Sequence, residues 1–184
     1  MTTHSLEARI QRLEDRAALY ELIGRYGVAM DDRNLDAFPA LFTDDCVIRS
    51  QDGVMNAAGL SVITELFRGR FKVLGPSNHV SHDKLLTFSD TDPNHATGLV
   101  LSHAEMQRKG QPMLAAMRYH DKYRRDGGIW KFEERLLTFF YYVATAEYLD
   151  AFGEGISTRM RAYDEHRAAD WPESLATWKQ YHGG

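Results

Sequence analysis

Histidine and carboxylate side chains are the main groups in this sequence that could do chemistry near neutral pH. The chain has eight histidines in 184 residues, and His79, His82, His103 and His120 fall in stretches with β-strand character. A neutral imidazole can abstract a proton near pH 7, and a carboxylate partner fixes its tautomer and stabilises the imidazolium. Asp31, at the end of the first predicted helix, is the candidate partner. Proton transfer by a histidine paired with a carboxylate is the chemistry that these residues leave open; the alternative is that Asp31 is a solvated helix end and His79 a strand-start histidine hydrogen-bonded to backbone.

The sequence lacks the residue patterns that other common catalytic mechanisms require. Cys46 is the only cysteine and lies in an apolar stretch, so we expect it in the core, without a disulfide or a thiolate metal site. A metal would need His79, His103 and a carboxylate to converge, and no helical His-x-x-x-His or Glu-x-x-His spacing occurs. Nucleophile elbows, phosphate loops and dinucleotide fingerprints are also missing from the sequence. We therefore expect a site with no cofactor and no metal.

Three helices and a short strand are predicted in the first 71 residues. Apolar residues at steps of three and four predict one long helix that begins after Ser5, its N-cap, and ends in the polar cluster 31–34. A short helix is expected over residues 35–42 and a third over Leu60–Phe71, with the strand Cys46–Ile48 between them. The first helix thus delivers Asp31 to its own C-terminal end.

Four long β-rich stretches follow, separated by three turn signals. Asp126-Gly127-Gly128 is the strongest signal, because a tight hairpin turn needs positive φ. Helices followed by consecutive antiparallel strands form an α+β pattern, whose natural packing curls the sheet around the helices and leaves a pocket. The predicted strands are His79–Ser89, His95–Arg108, Met113–Arg125 and Ile129–Val143.

Side-chain alternation along these strands separates the histidines. His79 and His82 differ by an odd number of positions, so a regular strand points them to opposite faces. His103 shares a face with Leu99 and Leu101, and we expect its ring to point inward.

The segment after the last strand is predicted to be helical. Ser157–Ala169 has the pattern of a helix capped by Ser157, and Pro172 is expected to start a last helix. We interpret residues 1–145 as an α+β cone domain and residues 146–184 as a helical extension packed on the same domain.

Composition excludes several functional classes. Lys and Arg number 22 against 26 Asp and Glu, giving a net charge of −4 and no basic block for nucleic acid. The longest nearly apolar stretch, Leu136–Ala146, is far shorter than the roughly 20 residues of a membrane span. The first twelve residues lack the apolar block of a signal peptide. We expect a reduced, cytoplasmic protein that binds neither nucleic acid nor membrane.

Three stretches resemble the SnoaL-like branch of the nuclear-transport-factor-2-like superfamily. They are Leu22–Phe42, Asn78–Phe88 and Tyr119–Phe132, and with the order of elements the resemblance covers residues 6–145. It implies a cone-like, highly curved antiparallel sheet, an α+β barrel, closed at its wide end by the N-terminal helices. The pocket is the inside of the cone.

Within that branch the sequence is most similar to cofactor-independent lyases: scytalone dehydratase, hexachlorocyclohexane dehydrochlorinase and bile-acid 7α-dehydratase. The resemblance implies that Asp31 and His79 form the catalytic pair. His103 falls where scytalone dehydratase has a second histidine, and Tyr26 falls where the bile-acid enzyme has its tyrosine.

The sequence departs from these enzymes at the groups that polarise substrate. Met30 and Arg49 stand where scytalone dehydratase has tyrosines, and Phe139 stands where the bile-acid enzyme has an arginine. We expect Tyr26, Arg49, His103 and Tyr119 to be donors to a developing oxyanion or leaving group. The remaining lining should be apolar and aromatic, with Phe42, Phe67, Leu99, Met117, Phe139 and Tyr141 as candidates.

The resemblance implies a cofactor-independent lyase, dehydratase-like or expelling a small carbonyl fragment in a retro-aldol sense. An apolar pocket favours a hydrophobic, aromatic or polycyclic hydroxylated small molecule, as in the catabolism of aromatic compounds. An isomerase or polyketide cyclase would use the same pair, and other members of the fold are ligand-binding or assembly subunits. We expect a homo-oligomer, a dimer or a trimer.

Overall fold

The computed structural model describes residues 5–153 and 155–183. These residues form five α-helices and a curved, unclosed sheet of six strands in the order β2-β1-β6-β5-β4-β3. The predicted α+β cone is confirmed. Neighbouring strands are antiparallel except β1 and β6, which run parallel. The described residues contain no helix that is both long enough and apolar enough to cross a membrane.

Helix α1 (Leu6–Asp31) begins where the sequence predicts, and the Ser5 side chain accepts a hydrogen bond from the Ala8 amide at 3.2 Å. Its first apolar side chains, among them Leu6 and Leu13, are exposed, and continuous burial starts near Leu19. The C-terminal half of α1 therefore packs on the sheet. That half carries the helix residues of the site.

The connection from α1 to the main sheet contains short elements. A 3₁₀ turn and helix α2 (Phe38–Leu41) lead into strand β1 (Phe42–Ser50), which is longer than the predicted strand. A three-residue strand, β2 (Asn56–Ala58), pairs with β1 and was not predicted from the sequence. Helix α3 (Leu60–Phe71) has the predicted bounds.

The four long strands are close to their predicted bounds. They are β3 (Leu74–Phe88), β4 (His95–Arg108), β5 (Gln111–Asp126) and β6 (Ile129–Ala144). The β5–β6 turn has positive φ at Gly127 and Gly128, as predicted. Strand β3 starts five residues before His79 and includes Pro76, which an edge strand tolerates because one side has no partner strand.

The core lies between the concave face of the sheet and the helices. Leu19 and Ile23 of α1, Phe38 of α2 and Ile63 of α3 are fully buried against inward-facing residues such as Phe132. Cys46 is also fully buried, and burial raises the pKa of its thiol to about 11. It is a core residue, as predicted.

The prediction of a helix over Ser157–Ala169 is wrong. After α4 (Tyr148–Gly153) the chain makes one 3₁₀ turn, and Met160 then forms isolated bridges with Tyr142 and Arg167. The cause is tertiary: β6 extends beyond the end of β1, and this segment hydrogen-bonds to the backbone of Tyr142 there. The last helix, α5 (Ala176–His182), starts four residues after Pro172.

Candidate active site

Asp31 and His79 lie in direct contact. The Nδ1 atom of His79 is 2.6 Å from Oδ1 of Asp31, and the backbone amide of His79 donates to Oδ2 at 2.7 Å. About one fifth of each side chain is exposed. An ionised carboxylate can only accept hydrogen bonds, so Nδ1 carries a proton and Nε2 of a neutral ring keeps its lone pair.

Strand geometry supplies a further donor to Asp31. Ser77 and His79 are two residues apart on β3 and therefore point to the same face. The Ser77 hydroxyl donates to Asp31 Oδ1 at 2.7 Å, so the carboxylate accepts three hydrogen bonds from β3. These contacts fix the end of α1 against the strand and orient the imidazole.

Arg33 secures the same junction from the helix side. It follows the end of α1 with φ of 58°, a left-handed conformation that ends helices. Its guanidinium donates to Ser77 Oγ at 2.9 Å and to the carbonyls of Met30 and Gly75. Its hydrogen-bonding capacity is thus used within the protein.

His79 faces a pocket enclosed by α1, α3 and the concave sheet face. Its cavity volume, the space open to the centre of a water molecule, is about 60 Å³. Four methionines, flexible side chains that adapt to irregular ligands, form much of the lining. Its lining includes the predicted residues Tyr26, Phe67, Met117, Tyr119 and Phe139, together with Met30, Met55, Met106, Arg70, Phe71, Leu74, Leu137 and Tyr142.

Tyr26 and Tyr119 form the most buried aromatic wall of the pocket, with ring centroids 6.2 Å apart. Burial raises the pKa of each phenol, and the nearby Arg135 charge opposes part of this rise. Both hydroxyls are therefore neutral at physiological pH. They can donate a hydrogen bond to a ligand oxygen.

A buried ion pair lies behind this wall. The Arg135 guanidinium donates to both carboxylate oxygens of Asp121, at 2.8 and 2.7 Å, and both side chains are fully buried. The guanidinium carbon lies 4.1–4.2 Å from the ring centroids of Tyr26, Tyr119 and Phe132. Arg135 could not be identified as a buried residue from the sequence, because a charged side chain gives no sign of burial.

Two predicted donors lie outside the pocket. Arg49 alternates with the buried Ile48 and Ser50 on β1, so it points outward and pairs with Glu134 on the convex face. His103 is exposed on the same face, where its Nδ1 atom is 2.8 Å from Nε2 of His82. Burial, and then the charge of His82, lower the pKa of His103. Contrary to the expectation for donors, neither residue lines the pocket that His79 faces.

Three predicted lining residues also fall elsewhere. Leu99 lies on the convex face beside Leu85, and Phe42 packs behind Tyr26 in the core without lining the pocket. A bulge in β6 shifts the alternation, so Tyr142 lines the pocket while Tyr141 packs on the convex face. Burial raises the pKa of Tyr141 to about 12.

His79 and His103 occupy opposite faces of the sheet, so they cannot share a metal ion. His79 and His82 also point to opposite faces, as alternation predicts. Across residues 5–153 and 155–183, no three His, Cys, Asp or Glu side chains converge in a geometry suited to a metal ion. The polar groups that line the pocket are the His79 imidazole, the hydroxyls of Ser77 and three tyrosines, and the guanidinium groups of Arg33 and Arg70.

The class of protein follows from a comparison of the sequence with family models. A SnoaL-like domain model matches residues 11–136, and the chain belongs to that family. None of the curated proteins matches the chain.

Solved structures with low sequence identity share the fold. LinA is 22% identical with a TM-score of 0.69, covering 75% of this chain and 94% of its own. A scytalone dehydratase-like protein from Novosphingobium aromaticivorans is 17% identical, with a TM-score of 0.68 and coverage of 90% and 97%. Hexachlorocyclohexane dehydrochlorinase LinA-type3 from Novosphingobium barchaimii is 20% identical, with a TM-score of 0.67 and coverage of 75% and 94%.

Proposed function

We propose that this protein is a cofactor-independent lyase whose general base is His79, oriented by Asp31. The contact of 2.6 Å between Nδ1 and Oδ1, beside an enclosed apolar pocket, is the observation that carries the proposal. With Nδ1 protonated, Nε2 accepts a proton from a carbon or hydroxyl of the substrate. Asp31 then stabilises the imidazolium that forms.

The pocket supplies the remaining requirements of an elimination. Tyr26 and Tyr119 are neutral phenols that can donate to an oxygen as negative charge develops on it. In a dehydration, His79 takes a proton from carbon, the C–O bond breaks, and the proton on Nε2 leaves with the hydroxyl as water. In a retro-aldol cleavage, His79 takes a hydroxyl proton, the C–C bond breaks to release a carbonyl fragment, and the resulting carbanion takes the proton from Nε2. The apolar and aromatic lining fits a hydrophobic, aromatic or polycyclic hydroxylated substrate.

The names of the structural relatives point the same way. A scytalone dehydratase-like protein and dehydrochlorinases have this fold, and their named reactions remove a small group from a substrate. An isomerase or cyclase would use the same pair without expelling a group. Product mass separates the two reactions, because only a lyase product is lighter than its substrate.

We predict that His79→Ala lowers kcat by about 10²–10⁴-fold, the usual contribution of a general base. The measurement is turnover of a panel of hydroxylated aromatic and polycyclic compounds, followed by mass spectrometry. Asp31→Asn should also slow the reaction, since an amide cannot stabilise the imidazolium.

His166→Ala is the matched control, because His166 is an exposed histidine far along the chain from the pair. Circular dichroism checks that every variant is folded. Full turnover by folded His79→Ala would contradict the assignment of the base.

A further inference from the structure

Arg70 is a charged residue of the pocket that the proposed reaction does not use. It lies in the last turn of α3, half-buried, and lines the pocket with Phe67 and Phe71. On the same turn, Arg68 is exposed and its Nε atom lies 3.1 Å from Glu65. Among the described residues, Arg70 has no hydrogen bond or ion pair, so its five N–H donors have no protein acceptor.

A second arginine of the pocket, Arg33, differs from Arg70 because its guanidinium does have protein acceptors. Arg33 lines the same space but donates to a serine hydroxyl and to backbone carbonyls. An arginine that is partly withdrawn from water without an acceptor loses hydration and gains nothing in exchange. A ligand anion would supply the missing acceptor.

Tyr142 offers a second donor in the same pocket. Its hydroxyl has the sulfur of Met106 as its partner at 3.0 Å, a weak acceptor that a ligand oxygen can replace. Burial raises the pKa of Tyr142, and the positive charges of Arg108 and Arg70 oppose that rise. Arg70 and Tyr142 thus lie on the wall of one pocket and both can donate hydrogen bonds into it.

We propose that Arg70 and Tyr142 form a carboxylate-binding subsite, and hence that the substrate is a hydroxylated aromatic or polycyclic carboxylic acid. This assignment of substrate class rests on the proposed function. The guanidinium fork matches a carboxylate with two parallel hydrogen bonds.

The position of Arg70 favours a single negative charge over a dianion such as phosphate. The C-terminal end of a helix presents carbonyl oxygens and carries partial negative charge. Arg70 is in that last turn, and the other arginine of the pocket, Arg33, already donates from both terminal nitrogens to protein acceptors. The single positive charge of Arg70 balances the single negative charge of a carboxylate, and the Tyr142 phenol adds one hydrogen bond.

Binding of two probes that differ in one group tests the proposal. The probes are hydroxynaphthoate and its neutral amide, hydroxynaphthamide, titrated calorimetrically into the full-length chain. We expect the unmodified protein to bind the carboxylate at least about tenfold more tightly, as for hydrogen bonds to a charged group. Arg70→Gln should remove this preference, and Tyr142→Phe should reduce it.

Arg68→Gln is the matched control, since it removes a neighbouring arginine from the outer side of the same helix. Its preference for the carboxylate should equal that of the unmodified protein. Circular dichroism and thermal melting confirm that each variant is folded.

Three results would overturn the proposal: equal affinity for the two probes, no binding of the carboxylate, or a preference that persists in folded Arg70→Gln. Tighter competition by inorganic phosphate than by hydroxynaphthoate would overturn the choice of a carboxylate.

These outcomes are independent of the proposed lyase reaction. His79→Ala should keep the carboxylate preference while losing turnover. A normal preference with unaffected turnover in that variant would refute only the base assignment. Loss of turnover in that variant, together with equal binding of the two probes by the unmodified protein, would refute only the carboxylate subsite.

Discussion

Asp31 combines two functions that are usually separate, ending a helix and orienting a histidine. Its carboxylate accepts hydrogen bonds from Ser77, from the His79 backbone and from the His79 ring. The helix end and the imidazole are therefore positioned by the same group. A change in how α1 meets β3 would alter the proposed general base directly.

The Asp31–His79 pair was predictable from two independent features of the sequence. Asp31 stands at the end of a predicted helix, and His79 stands near a predicted strand start in a stretch that resembles the family. His103 was not, because alternation shows which residues share a face but not which face is inside. Leu99 and Leu101 made the His103 face look internal. The buried residues of this stretch of β4 are instead Ser102 and Ala104, which flank His103 and point to the opposite face.

The Asp121–Arg135 pair makes a sharp prediction for stability. Asp121→Asn leaves the buried Arg135 charge without its partner, and we expect the free energy of unfolding to fall by about 3–5 kcal/mol. Urea denaturation measures this change.

The control for this prediction is Asp126→Asn, which affects a half-exposed carboxylate 3.7 Å from Lys131 and should change stability by less than about 1 kcal/mol. Replacing both buried partners, as Asp121→Leu with Arg135→Met, should cost less than Asp121→Asn alone. Equal and small effects of Asp121→Asn and Asp126→Asn would refute the prediction.

At the level of elements, the segment after β6 is held by one buried arginine. Arg159 donates to the carbonyls of Phe140 and Trp171, both at 2.9 Å, and to both carboxylate oxygens of Glu173 at 2.7 Å. The local sequence favours a helix, but the segment that carries these contacts is irregular after its single 3₁₀ turn. Local patterns could not predict them, because Phe140 is distant in sequence.

We predict that Arg159→Met loosens this segment while the sheet stays folded. Loss of several hydrogen bonds to charge, each contributing about 1.5–3 kcal/mol, should raise the rate of tryptic cleavage at Arg167 at least tenfold. Limited proteolysis followed by mass spectrometry measures the rate. Arg68→Met, on the exposed side of α3, should cleave at the unmodified rate, and equal rates for both variants would refute the role of Arg159.

At the level of the whole molecule, the buried tyrosines determine how the stability of the fold responds to alkaline pH. Six tyrosines have a raised pKa, in each case mainly because of burial: Tyr26, Tyr119, Tyr123, Tyr141, Tyr142 and Tyr163. In an unfolded chain these phenols ionise near pH 10. The folded chain therefore holds protons that the unfolded chain releases above that pH.

We predict that the stabilisation linked to these tyrosines is fully present below about pH 10 and is lost as pH rises toward their folded-state pKa values. The free energy of unfolding should fall by about 1.4 kcal/mol per pH unit for each tyrosine that only the unfolded chain has ionised. Urea titrations between about pH 8 and pH 11 test this. Ionisation of all six near pH 10, with the circular dichroism of the folded state intact, would refute the prediction.

The sheet is open, and His79 lies on β3, the strand at its edge. Only β4 pairs with that strand, and the end of α1 covers the inner side of the same stretch. Separating β3 from α1 would break the contact between Asp31 and His79 while β1, β4, β5 and β6 stay paired, so it costs less free energy than unfolding the chain. We therefore expect heating to abolish the proposed activity at a lower temperature than the one at which the pairing of β1, β4, β5 and β6 is lost.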